Sequence, residues 1–148
     1  MHSLAEHSTI INGHRVAYGI LGSGKPIVFI HGTPSSSYIW RNVAPNVANE
    51  GYSVHVYDLL GYGNSERPYD QSMDTSVSAQ VPILKQLMAH WGIERAHIVA
   101  HDIGGGVAQR FCIFHPAISN SRRMINSPKI RGPDLCLSQC FCLPFLEK

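Results

Sequence analysis

The chain has 148 residues, 44% of them hydrophobic and 15% charged, with a net charge of +2. That is the length of one domain with a core of its own, and its composition excludes a disordered chain; so small a charge makes no electrostatic case for nucleic acid as a partner. No basic start leads into an apolar run, and no apolar stretch reaches bilayer length, so neither a signal peptide nor a membrane span is expected. Four cysteines, three of them in the last thirteen residues, make neither a disulfide framework nor a zinc spacing. A reduced, cytoplasmic protein with no metal and no cofactor is the expectation.

In chain order, Ser8–Ile11 and Arg15–Ile20 read as strands flanking Asn12-Gly13, a turn pair in which both residues accept positive φ. Gly22-Ser23-Gly24 then turns the chain into Pro26–Ile30, apolar on both faces as a central parallel strand must be. The loop His31-Gly32-Thr33-Pro34-Ser35-Ser36-Ser37 follows, its serines suited to cap the next helix. Ser53–Tyr57 alternates as another strand and ends in Asp58-Leu59-Leu60-Gly61-Tyr62-Gly63-Asn64-Ser65. No Lys-Ser/Thr pair follows those glycines, so this is not a phosphate loop; its glycines suit tight turns and Asp58 suits bonding of loop amides. A helix comes next, with Asp74 or Ser76 as cap and Val77, Val81, Leu84, Met88 and Trp91 on one face. Pro82 is expected to interrupt and kink it, and Gly92 to stop it.

His97–Ala100 is a short apolar run that reads as a buried strand, and Gly106–Phe114 reads as a helix ending near His115-Pro116. Between them lies Ala100-His101-Asp102-Ile103-Gly104-Gly105. A strand that becomes a helix within so few residues brings backbone close to backbone, and Ala100, Gly104 and Gly105 supply the small residues this needs. Asp102 at the tip has two readings. It is a favoured N-cap that satisfies the first helical N–H groups. It also occupies the exposed tip of a nucleophile elbow, with Asp where Ser more often sits.

Three such loops in this order, each after a strand, resemble the α/β-hydrolase superfamily, above all the haloalkane dehalogenases and their epoxide-hydrolase relatives. The resemblance covers about residues 8–116. It implies an α/β fold: a mostly parallel sheet with helices on both faces and the site at the strands' carboxyl ends. It also implies a covalent reaction on a small molecule, in which the Asp102 carboxylate attacks the carbon of an epoxide or alkyl halide and forms an ester. The N–H groups of Thr33 and Ile103 would hold the ester oxygen while a His-activated water attacks. Gly32 would permit the tight turn, and Asp58 and His31 would steady the loops. His101 would pack.

In the family the catalytic His, the acid that orients it and the helical cap domain all lie downstream of the elbow, and this sequence stops before any of them. The one His after the elbow is His115, about 20 Å away at the far end of a helix. His97, His101 and Asp102 present no open set of metal ligands. The dehalogenases place an Asn in the oxyanion loop and a Trp after the nucleophile to hold the leaving halide; here these positions are Thr33 and Ile103. The tyrosines that assist epoxide opening in the family belong to the cap domain.

Residues 1–116 therefore read as the N-terminal half of a hydrolase core without its last strands, and 117–148 as a divergent, cysteine-rich tail. Met124–Pro128 faintly resembles the family's next strand, and Leu135–Leu146 matches no family feature. That end reads as the out-of-frame or read-through terminus of a shortened gene product, or alternatively as a lipidated or interfacial anchor. With so little beyond it, the elbow strand is expected to be a nearly uncovered sheet edge that drives self-association. Two functional readings stand: a hydrolase with an Asp nucleophile that does not turn over in this form, and a non-catalytic fragment or binding module that keeps the half-fold.

Overall fold

The computed structural model describes residues 3–70 and 72–125. Strands β1 (His7–Ile11), β2 (His14–Leu21), β3 (Lys25–Ile30), β4 (Tyr52–Tyr57), β5 (Ala96–His101) and β6 (Ser119–Ile125) form one six-stranded sheet in the order β1-β2-β4-β3-β5-β6. The first two ladders are antiparallel; β4 with β3, β3 with β5 and β5 with β6 are parallel. Helices α1 (Ala44–Asn49), α2 (Val77–His90) and α3 (Ile103–Phe114) make the crossovers, after a 3-10 turn at Ser37–Trp40.

Local chemistry accounts for most element boundaries. The β1–β2 register closes at Ile11 opposite His14, leaving Asn12 (φ 52°) and Gly13 (φ 82°) as a two-residue turn with both residues left-handed. Ser76 caps α2, its side chain accepting from the Ala79 N–H, while Asp74 accepts from the Ser76 N–H at 2.8 Å. Gly92, at φ 69°, ends the helix, and Ile93 donates back to the Met88 carbonyl. Pro82 does not interrupt α2 as expected. It lies inside a helix that continues to His90, because the buried face of Val81, Ile83, Leu84, Leu87 and Met88 outweighs one missing backbone bond.

β3 is buried on both faces, and its side chains divide between two cores. Val28 and Ile30 join Tyr57, Ile98 and Ala100 under α2 and α3. Ile27 and Phe29 join Val54, Val56, Val99 and Trp40 on the side of the 3-10 turn and α1. Burying Val28, Phe29 and Ile30 completely contributes about 1.5–3 kcal/mol each. β4 does not alternate buried with exposed, as its sequence implies. Its last four residues are all buried, His55 included, because β2 and β3 flank it and helices cover both sides.

The expectation that the elbow strand is a nearly uncovered edge does not hold. β5 lies between β3 and β6, with Val99 opposite Phe29 on one side and Arg123 on the other. The strand hinted at by Met124-Ile125 begins earlier, at Ser119, so among the described residues the outer strands are β1 and β6. The cysteine-rich stretch, with Cys136, Cys140 and Cys142, lies outside the described residues; Cys112, on α3, is free and buried.

Candidate active site

β5 runs into α3 with no connecting loop, and Asp102 is the one residue between them. It has φ 53° and ψ −124°, a conformation that costs a non-glycine residue about 1–3 kcal/mol and persists only where surrounding packing imposes it. Its side chain makes no capping bond to α3. Instead it meets the loop after β3, where the Thr33 N–H donates to Asp102 Oδ2 at 2.9 Å. The carboxyl thus reaches across to the β3 loop while also lying against the first amide of α3, that of Ile103.

Glycines make this approach possible. A side chain at Gly32 would place its Cβ 2.8 Å from the His101 carbonyl and 2.9 Å from Asp102 Oδ2. A Cβ at Gly104 would collide with the His31 carbonyl and lie 2.8 Å from that of Ile30. α3 consequently starts at Ile103, earlier than its sequence pattern suggests, with Gly104 and Gly105 buried in its first turn and Ala100 buried just before the elbow.

Two buried polar side chains lock the loops that carry the site. The His31 Nε2 accepts the Leu59 N–H at 3.0 Å, which makes its Nδ1 the protonated nitrogen that donates to the Gly32 carbonyl at 2.9 Å. Burial holds the His31 pKa below its ordinary value, against the opposing pull of the Gly32 carbonyl and Asp58, so the ring is a neutral bridge between the loops. Asp58 accepts the Ser37 N–H at 2.6 Å on one oxygen and the Asn64 N–H at 2.8 Å on the other. Ser65 extends the bracing, donating to the Asp58 carbonyl and accepting from the Ala17 N–H.

Two participants escape sequence reading. Gln80, on the buried face of α2, accepts from the Leu60 N–H and donates to the Leu60 carbonyl, both at 3.1 Å; a polar residue at an apolar helix position was its only signal. Tyr62 lies against His31 with ring centroids 5.6 Å apart, and its hydroxyl is 3.3 Å from Thr33 Oγ1. Nothing local distinguishes it from the other residues of its loop.

The amides of Thr33 and Ile103 hold the Asp102 carboxyl below the usual carboxylate range, with a smaller contribution from His101. The arrangement is thus a partly exposed, ionised carboxylate with one oxygen already in a backbone N–H site, able to attack an electrophilic carbon with the other. His101 is partly buried, and its Nδ1 is closed off from solvent with no hydrogen-bond partner among the described residues. His115 follows the last residue of α3, its ring against Phe111 at 5.1 Å. Among the described residues no group of three or more His, Cys, Asp or Glu could hold a metal ion. An open cleft of about 670 Å³, lined by His7, Arg15, Ser65, Glu66, Arg67 and Tyr69 among others, does not include Asp102 or Thr33.

Comparison with known proteins identifies the fold family. The sequence family described as alpha/beta hydrolase fold matches residues 25–122. A soluble epoxide hydrolase of Corynebacterium sp. (strain C12) is 39% identical over 108 residues, which are 73% of this chain and 36% of that protein. A fluoroacetate dehalogenase of Burkholderia sp. is 39% identical over 97 residues, 64% of this chain and 32% of the relative. An alpha/beta hydrolase fold protein from Burkholderia ambifaria superposes with a TM-score of 0.80 at 36% identity, covering 89% of this chain and 47% of that structure. The chain thus spans about a third of the length of these curated relatives.

Proposed function

Because this chain belongs to the α/β-hydrolase fold family, with epoxide hydrolase and dehalogenase relatives, we propose that Asp102 is a nucleophile that forms an ester with an epoxide, an alkyl halide or a related small electrophile. The observation that carries this reading is the Thr33 N–H on Asp102 Oδ2 at 2.9 Å, on a residue held at φ 53°. In the forward step a carboxylate oxygen bonds to the electrophilic carbon as the carbon–halogen or carbon–oxygen bond breaks. The leaving group departs as halide, or as an alkoxide that takes a proton from water. The ester oxygen left in the amide site keeps its Thr33 and Ile103 donors.

Hydrolysis of that ester needs a base, and neither His31 nor His115 is placed to serve as one. Both ring nitrogens of His31 are engaged, and His115 stands beyond the last turn of α3. The proposal for these 148 residues is therefore single alkylation without turnover. A non-catalytic fragment or binding module is the second reading, favoured by the engagement of His31 in its loop and the position of His115 beyond α3.

Intact-mass analysis of the chain after exposure to a reactive epoxide or alkyl halide separates the two. One adduct, mapped to Asp102 by peptide sequencing and absent from Asp102→Asn, supports the nucleophile. No adduct in a sample with a cooperative thermal transition returns Asp102 to a structural role.

A further inference from the structure

The loop that presents the Thr33 amide is gripped from the β4 side by a residue outside the proposed chemistry. Tyr62 touches it at two points on either side of Gly32: its ring meets the buried His31 ring edge-on at 5.6 Å, and its hydroxyl lies 3.3 Å from Thr33 Oγ1. Gly32 between them has no side chain of its own to limit its backbone, and Thr33 and Pro34 beyond it are exposed. We propose that Tyr62 is the positioning residue of this loop: its ring buttresses His31 and its hydroxyl pairs with the Thr33 hydroxyl, so that the Thr33 N–H stays directed at the Asp102 carboxylate.

The loop carrying Tyr62 is itself rigidly held. The Tyr62 N–H donates to the Leu59 carbonyl at 2.9 Å, and Leu59 donates to His31. Asp58 ties the same loop to Ser37. A phenol anchored in this way can constrain a threonine side chain, whereas water at the same place could not. At 3.3 Å the hydroxyl pair is long for O–H···O, so its contribution is orientation more than bond strength. The functional meaning of this inference rests on Asp102 being the reacting carboxylate, but its physical content does not.

The test reads the ionisation of Asp102 by carboxyl carbon NMR in the 148-residue chain, with Asp102→Asn to assign the signal. His101, His31 and Asp58 are the other titratable groups around the site, and all are unchanged in the variants. Tyr62→Phe keeps the ring contact and removes only the hydroxyl. Its expected effect is a rise of the Asp102 midpoint by roughly half a pH unit, about threefold in the acid constant, as the Thr33 amide loosens. Thr33→Val should give the same rise and Tyr62→Phe/Thr33→Val no more than either alone, because one pair is being removed twice. Thr33→Ser, which keeps the hydroxyl, should restore the original midpoint. A midpoint unmoved in both Tyr62→Phe and Thr33→Val, or additive rises in the double variant, overturns the proposal. Failure of the alkylation experiment with the midpoint shifts intact would instead reject the nucleophile and leave Tyr62 in this role.

Discussion

Thr33 and Asp102 are 69 residues apart in the chain, yet the backbone N–H of one lies 2.9 Å from the carboxylate of the other. The parallel pairing of β3 with β5 brings them together: Ile30 stands opposite Ala100, so both strands leave the sheet at the same level. The loop after one and the elbow after the other then have only Gly32 between them as spacer. The site is a consequence of strand register.

The 148-residue chain should show no steady-state hydrolysis of epoxides, alkyl halides or esters. Loss of a base of this kind removes several orders of magnitude of rate. Saturable turnover that disappears in Asp102→Asn would show that another residue supplies the base.

His31→Phe should be among the more damaging single substitutions at the site. It leaves the buried Leu59 N–H and Gly32 carbonyl without their side-chain partner, at about 1–3 kcal/mol for each group that finds no replacement. Denaturant unfolding should show a loss of about 2–4 kcal/mol, and adduct formation at Asp102 should fall with it. A loss within the error of the measurement would mean that the bridge is dispensable.

Stability should fall as pH drops from about 6.5 to about 4. Burial pushes the His55 pKa from 6.5 down to about 4, so between these values the unfolded chain binds a proton that the folded chain excludes. The contribution is complete above 6.5 and lost as pH falls through the folded value. His31 is displaced in the same direction by the same cause. Allowing for local relaxation around the ring, His55 should account for about 1–3 kcal/mol of the decline. Denaturation midpoints at pH 7 and pH 4.5 should therefore differ more in the original chain than in His55→Leu; equal differences would remove His55 as the cause.

Self-association, if the sheet edge drives it, should involve β6 and not the elbow strand, because β5 is paired on both sides. Size exclusion over a range of concentrations should show species larger than a monomer, with amide hydrogen exchange slowing in residues 119–125 as they form and staying constant in β5. A monomer at every concentration would show that the β6 edge is covered.

Much of the fold is legible in the amino-acid sequence because its signals are short-range. Asn12-Gly13 makes a hairpin through the φ values those residues tolerate, Ser76 and Gly92 bound a helix through their own bonds to the backbone, and the run Pro26–Ile30 is apolar on both faces because both will be covered. The elbow is legible for a similar reason, since a strand that abruptly becomes a helix demands small residues at Ala100, Gly104 and Gly105. Pro82 shows the limit of such reading. Its local preference favours a break, but the buried face of α2 keeps the helix intact.

Which loops meet is a different kind of information. The amino-acid sequence by itself determined the elements, the elbow and the candidate carboxylate, because each depends on backbone preferences carried by a few neighbouring residues. Only the tertiary structure decided that β6 covers the elbow strand, that the Asp102 carboxylate meets the Thr33 amide, and that Gln80 and Tyr62 hold the loops. Those outcomes depend on the order and register of strands distant in the chain, and on a buried donor finding an acceptor across that distance, which no local pattern of residues encodes.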